Sequence, residues 1–217
     1  MDRLHRLIKP ELSKQLVLRW FLGLAFMAGL VAIFTALAED VWFQEGFAWD
    51  VPIILAIHHL STPALDTTMR ILTQAGGSGG IAFAAILAIW FIWKRKILDA
   101  ASIAISLSGG AALNALLKIL LARPRPSLFP PLVSVSGFSF PSGHVAASVA
   151  IYGFLAVLLW RNNHRAWAVL SGAWVLVVAI SRIYLGVHYP SDALGAMAFA
   201  TLWLMVVFAV RDWYSRQ

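Results

Sequence analysis

Three polar islands interrupt an otherwise apolar chain, and they hold the residues able to do chemistry. The first is KILLARPRP, Lys118 to Pro126; the second is FPSGH, Phe140 to His144; the third is SRIYLGVHYPSD, Ser181 to Asp192. Between them stand two imidazoles (His144, His188), one carboxylate (Asp192) and four cations (Lys118, Arg123, Arg125, Arg182). Lys118 and Asn114 are four residues apart, so they share one helical face, continued by Gly110 and Ser106. An ionisable residue within an apolar helix is costly and marks function; the plain structural alternative is a lysine snorkelling from a helix end. Arg125 lies between Pro124 and Pro126. These fix an extended, stiff backbone that suits a guanidinium for bidentate binding of phosphate oxygens.

In Pro141-Ser142-Gly143-His144 the residue types predict a helix start with Ser142 as N-cap. The free N–H groups there, with Gly143 permitting close approach, would make an anion site beside His144. Pro190-Ser191-Asp192 predicts another helix start, with Asp192 in its first turn and His188 just before it. A carboxylate so placed accepts one imidazole N–H, which fixes the tautomer and leaves the other nitrogen nucleophilic. Arg182, six residues earlier, adds a cation on the same side. Two histidines, an aspartate, cations and an anion-binding helix start suit transfer of a dianionic group through a covalent histidine intermediate.

The elements that must bring these islands together are membrane spans. The 217 residues are 60% hydrophobic and only 12% charged, with a mean hydropathy of +0.79, well outside the range of soluble domains. One compact, all-α, polytopic domain over residues 1–217 is expected, a bundle of six transmembrane helices. The spans read as Leu16–Ala38, the segment after Gly80 to about Trp93, Leu98–Leu121, Val145–Trp160, Trp167–Tyr184 and Ser191–Val210. Ala36-Leu37-Ala38 resembles a leader-cleavage site, but the run before it is long for a secretory signal, and a retained span is expected. Residues 39–75 read as an extracytoplasmic segment, in which Asp50 to Leu60 could form a helix lying at the interface. His58 and His59 there lack ligand partners at metal spacing and read as interfacial polar residues. Gly76-Gly77-Ser78-Gly79-Gly80 lacks the Gly-Lys-Ser/Thr ending of a P-loop and reads as a flexible entry allowing close helix packing.

Basic residues set the expected orientation. With both termini cytoplasmic, those at 3–19, 94–96, 161–165 and 211–216 lie inside, and Arg70, Lys118, Arg123, Arg125 and Arg182 remain outside. Four of these exceptions belong to the islands, which implies an anion bound at the outer face. The charge of +7 then reflects contact with anionic headgroups rather than nucleic acid. With no cysteine, neither a disulfide framework nor a Cys-ligated metal site can form.

Lys-x6-Arg-Pro, Pro-Ser-Gly-His and Ser-Arg-x5-His-x3-Asp, in this order and without a departure, resemble the three signature motifs of the type 2 phosphatidic acid phosphatase superfamily, which includes vanadium-dependent haloperoxidases and bacterial acid phosphatases. The resemblance covers the last three or four spans. It implies that His188 is the nucleophile taking the phosphoryl group and that Asp192 orients it. It further implies that His144 protonates the leaving oxygen and then activates water. Lys118, Arg125, Arg182, Ser142 and the Gly143 N–H would hold the phosphoryl oxygens, with neither metal nor cofactor required. Arg123 stands outside the motif and is expected to contact headgroups.

A lipid phosphate in a bacterial inner membrane is the implied substrate: undecaprenyl diphosphate, with phosphatidylglycerol phosphate, phosphatidic acid and lipid A phosphates as further candidates. A phosphotransferase passing the phosphoryl group to another lipid would use the same residues. A transporter would spread its charges through the midplane of several helices, whereas these cluster at one end. A haloperoxidase is disfavoured by the composition, because the family's haloperoxidases are soluble. Oligomeric state is not encoded in these patterns.

Overall fold

The computed structural model describes residues 10–217, so the basic residues Arg3, Arg6 and Lys9 lie outside it. Every regular element among the described residues is helical. In chain order these are α1 (Pro10–Trp42), α2 (Asp50–His58), α3 (Pro63–Leu72), α4 (Ser78–Trp93), α5 (Ile97–Leu121), α6 (Gly143–Ser148), α7 (Phe154–Arg161), α8 (Arg165–Tyr184) and α9 (Pro190–Tyr214). A 3₁₀ turn, Thr73–Gly76, joins α3 to α4, and a π-helical stretch, Val149–Gly153, joins α6 to α7. Six segments are long and apolar enough to span: Trp20–Trp42, Pro63–Trp93, Ile97–Leu121, Gly143–Arg161, Arg165–Tyr184 and Pro190–Tyr214.

The second of these begins earlier than its glycines suggest. Pro63 occupies the first turn of α3, where its missing N–H costs nothing, and Thr62 Oγ1 accepts the Leu65 N–H at 3.3 Å. Its 31 residues, Asp66 and Arg70 of α3 among them, exceed the ~20 that cross a hydrocarbon core. α2 falls within Asp50 to Leu60, where the sequence predicts a short helix, and belongs to none of the six spanning segments.

α9 is the bundle's centre and α1 its periphery: 50% of the apolar window in α9 is buried, against 6% in α1. α1, α5 and the α6–α7 segment pack on α9, while α4 pairs with α5 and α7 with α8. The main core gathers Phe154, Ile151, Val145, Ala196 and Ile103, all almost wholly buried. Gly76 allows its turn to touch α6, since a Cβ there would lie 2.5 Å from the His144 carbonyl oxygen.

The two ends of the bundle differ in kind. At one end Arg161 makes a bidentate pair with Asp212 (2.7 and 2.9 Å), and Arg211 Nε donates to Asp99 at 2.7 Å. These pairs tie the α7 and α9 termini to the start of α5. At the other end stand the three islands. α5 stops there because Ala122 turns left-handed (φ 43°) and Pro124 cannot continue a helix. α9 starts there with Pro190 in its first turn and the Asp192 carboxylate accepting the Tyr189 N–H at 2.8 Å.

Candidate active site

Backbone bonds stitch the islands together before any side chain acts. Ser139 N–H donates to the Arg123 carbonyl at 2.8 Å, joining the first island to the chain just before the second. Ser142 N–H donates to the Asp192 carbonyl at 3.1 Å, joining the second to the third. Side chains repeat the pattern. Asn114 Nδ2 donates to the Pro141 carbonyl at 3.2 Å, and Lys118 Nζ donates to the carbonyls of Phe138 (2.5 Å) and Ser139 (3.1 Å). The Lys118 ammonium is therefore anchored rather than snorkelling freely.

His188 is buried, and its Nδ1 faces Asp192 Oδ2 at 3.3 Å. With the proton on Nδ1, Nε2 carries the lone pair, and it faces the Arg125 Nη1 donor at 3.4 Å. Burial, opposed by Asp192, pushes the His188 pKa down to about 4, so the ring is neutral at pH 7. Arg125 is held by three carbonyls: Nε donates to Gly137 at 2.9 Å, Nη1 to Val187 at 2.8 Å and Nη2 to Ser136 at 3.1 Å. Burial lowers its pKa from the ordinary value, with Asp192 opposing.

Arg182 is 2% exposed and donates through Nη1 to Thr73 Oγ1 at 3.0 Å. Its Nε has no hydrogen-bond partner among the described residues, and neither has the buried Ser142 Oγ. Ser142 does stand at the start of α6, but its hydroxyl caps no N–H. A buried donor without a partner costs free energy, so two of them beside His188 and Arg125 suit an incoming anion. A Cβ at Gly143 would lie 3.2 Å from Asn114 Oδ1 and press on that side chain. His144, on the first turn of α6, is close enough to His188, Arg182, Arg125 and Lys118 to feel their charges.

A cavity of about 440 Å³ opens beside His144 and Lys118, walled by Ile81, Leu107, Ala111, Ala115, Ala147 and Ala150. A larger one, about 650 Å³, lies at the opposite end of the bundle and is lined by none of the motif residues.

Two residues escape the sequence reading. Ser139, fully buried, donates to Asp192 Oδ2 and lies 3.5 Å from His188 Nδ1. Only its place two residues before Pro141 could have drawn notice. Arg123 is not a headgroup contact: it is 9% exposed, pairs with Asp192 (2.7 Å) and Asp50 (2.8 Å), and lies over the Tyr189 ring at 4.0 Å. Arg123 reaches Asp192 Oδ1 and Asp50, whereas Arg125 reaches the Val187 carbonyl and the His188 Nε2 side, so the two arginines engage opposite ends of the His188–Asp192 pair.

Six spanning segments with a buried His–Asp pair and anchored cations at one end define a multi-pass membrane enzyme. The family model described as the PAP2 superfamily matches residues 99–216, and the chain belongs to that superfamily. It is 30% identical over 185 residues to phosphatidylglycerophosphatase B of Bacillus subtilis, covering 82% of this chain and 91% of the relative. It is also 30% identical over 171 residues to undecaprenyl-diphosphatase BcrC of the same organism, covering 74% and 83%. The crystal structure of a transmembrane PAP2-type phosphatidylglycerolphosphate phosphatase from Bacillus subtilis superposes with a TM-score of 0.78 at 28% identity, covering 86% of this chain and 96% of that one. Aquifex aeolicus LpxE, at 22% identity and a TM-score of 0.64, shares the fold over 76% of this chain and 98% of its own. Family and relatives make this protein a membrane phosphatase.

Proposed function

We propose that the protein removes the terminal phosphate of a membrane lipid phosphate or diphosphate through a phospho-His188 intermediate. The observation that carries this reading is the convergence, at one end of the bundle, of a neutral His188 held by Asp192 and two buried donors without partners among the described residues, Arg182 Nε and Ser142 Oγ. His188 Nε2 attacks phosphorus as the bond to the lipid oxygen breaks, and His144 gives that oxygen a proton. Water then attacks phospho-His188, His144 takes its proton, the P–N bond breaks and inorganic phosphate leaves. Throughout, Nδ1–H stays bonded to Asp192. Lys118, Arg125, Arg182, Ser142 Oγ and the Gly143 N–H stabilise the charge on the phosphoryl oxygens, the work a metal performs elsewhere.

The apolar walls of the 440 Å³ cavity suit the hydrocarbon adjoining the scissile phosphate. Undecaprenyl diphosphate is the substrate we favour, with phosphatidylglycerol phosphate and phosphatidic acid next; the relatives' names span the first two of these. Both termini are placed in the cytoplasm and the site at the outer face of a bacterial inner membrane, following the distribution of basic residues. Residues 1–217 act as a single domain with its chemistry in 118–192. The test is release of inorganic phosphate from a panel of purified lipid phosphates, with His188→Ala as control. Free phosphate from one of them, abolished in the variant, supports the reading. A phosphorylated lipid acceptor without free phosphate makes the protein a phosphotransferase instead.

A further inference from the structure

Beyond the phosphate-binding set lies a chain of buried charges that the signature motifs do not contain. α2 delivers Asp50, 1% exposed, to the start of α9. Its Oδ1 accepts the Ser191 N–H at 2.9 Å, and its Oδ2 accepts the Ser191 hydroxyl at 2.5 Å and Arg123 Nη2 at 2.8 Å. Arg123 Nη1 donates to Ser191 Oγ and to Asp192 Oδ1, each at 2.7 Å. The opposite oxygen of Asp192 meets His188, Ser139 and the Tyr189 N–H. A carboxylate gripped on one oxygen by a guanidinium and on the other by three donors has no freedom to rotate.

We propose that Asp50 and Arg123 are positioning residues for the phosphoryl-transfer reaction, fixing the Asp192 carboxylate so that it can orient and polarise His188; this rests on the reading of His188 as nucleophile. The alternation of signs matters as much as the geometry. Arg123 alone would draw negative charge away from Asp192 and make it a poorer acceptor for the imidazole. Asp50 neutralises Arg123, so the three groups carry one net negative charge, presented at the end that faces His188. Neither positioning residue touches the phosphoryl group. Arg123 faces away from it, stacked on Tyr189.

The test reads charge rather than fold. Around His188 stand Asp192 from α9, Arg182 from α8, His144 from α6 and Arg125 from the loop after α5; Lys118 of α5 lies near Asp192. None of these changes in the variants, and the titration of the substrate is common to all of them. Asp50→Asn removes a negative charge while keeping the shape, and should move the acid limb of the kcat/KM profile to lower pH. Arg123→Gln removes a positive charge and should move it to higher pH. Each shift should be roughly half to one pH unit, smaller than the 1–3 units of a direct neighbour because Asp192 intervenes. The double variant Asp50→Asn/Arg123→Gln should restore the limb to near its original position. Arg123→Lys keeps the charge and should leave the limb in place, yet lose about 10- to 100-fold in kcat, as when a group supporting a ligand is removed, with KM little changed.

Opposite shifts from the two single variants support the proposal, since a purely structural role lowers activity without moving the limb in opposed directions. Limbs that stay put or move together in folded variants, with His188→Ala inactive, overturn it and leave the nucleophile assignment standing. Activity retained in His188→Ala overturns both. If one single variant does not fold, the limb of the other together with that of Arg123→Lys decides by the same criterion.

Discussion

Replacing Arg125 by lysine keeps the charge and discards the fork, so it separates electrostatics from geometry. The guanidinium has five N–H groups. Three are committed to the carbonyls of Gly137, Val187 and Ser136, which hold the plane still. Of the remaining two, the one on Nη1 faces His188 Nε2 at 3.4 Å and the one on Nη2 is uncommitted, and a phosphoryl group seated against His188 would take both. An ammonium at the same place has three donors on one nitrogen and cannot span the carbonyls while also reaching two oxygens. At least one charge-assisted bond to the phosphoryl group is lost, about 1.5–3 kcal/mol. At about 1.4 kcal/mol per factor of ten, kcat/KM should fall about ten- to a hundredfold. Arg125→Ala, which also removes the charge, should cost more, on the order of a thousandfold. The assay is phosphate release by purified protein in detergent, with thermal unfolding of each variant as the control for folding. An Arg125→Lys enzyme within threefold of the original would refute the argument, because charge alone would then suffice.

If His144 is the general acid, His144→Ala should damage hydrolysis of a lipid monophosphate, which expels a basic alkoxide, far more than the first step on a diphosphate. On the diphosphate, rapid quench should trap an acid-labile, base-stable phosphoprotein; equal losses without one would reassign His144. Because burial holds the His188 pKa near 4, the ring is protonated and loses its nucleophilic lone pair only below that region, so the acid limb of a diphosphatase profile should fall closer to 4 than to 6.5. A limb at 6.5 would show that the ring is solvated. Activity should survive a chelator and be blocked by vanadate, since Lys118, Arg125 and Arg182 supply the positive charge; loss in chelator with recovery on adding Mg²⁺ would contradict this. Cysteines placed near Arg125 and Tyr189 should react with an impermeant thiol reagent outside intact cells, and labelling only after the cytoplasmic face is opened would invert the orientation.

The spans and the motif residues were legible because each leaves a local signature: an apolar run of sufficient length, or a charged residue at fixed spacing beside proline or glycine. Even α2 could be read from Asp50 and the apolar residues after it. What escaped depends on distant partners. Asp50 and Arg123 are 73 positions apart, and no short-range pattern announces that they meet, so an arginine near a helix end reads by default as a headgroup contact. Ser139 looks like one more loop serine until its hydroxyl is seen on Asp192. Pro63 opens α3 rather than breaking a helix, and Thr62 before it is the signal that separates the two meanings. The π-helical stretch at Val149–Gly153 carries no composition that distinguishes it from its flanks.

The bond from Asp50 to the Ser191 amide spans 141 positions, and that distance has a consequence for biogenesis. During insertion Asp50 emerges early and Ser191 only with the last helix. The carboxylate must therefore wait for that amide through the insertion of every intervening span, and for Arg123 until α5 has been made. An acid on a transmembrane helix would pay several kcal/mol for that delay. α2 belongs to none of the six spanning segments, so an acid carried on it escapes that cost while it waits. A carboxylate carried outside the spans thus lets the bundle be threaded one span at a time, with the end that holds the three islands sealed only when α9 arrives.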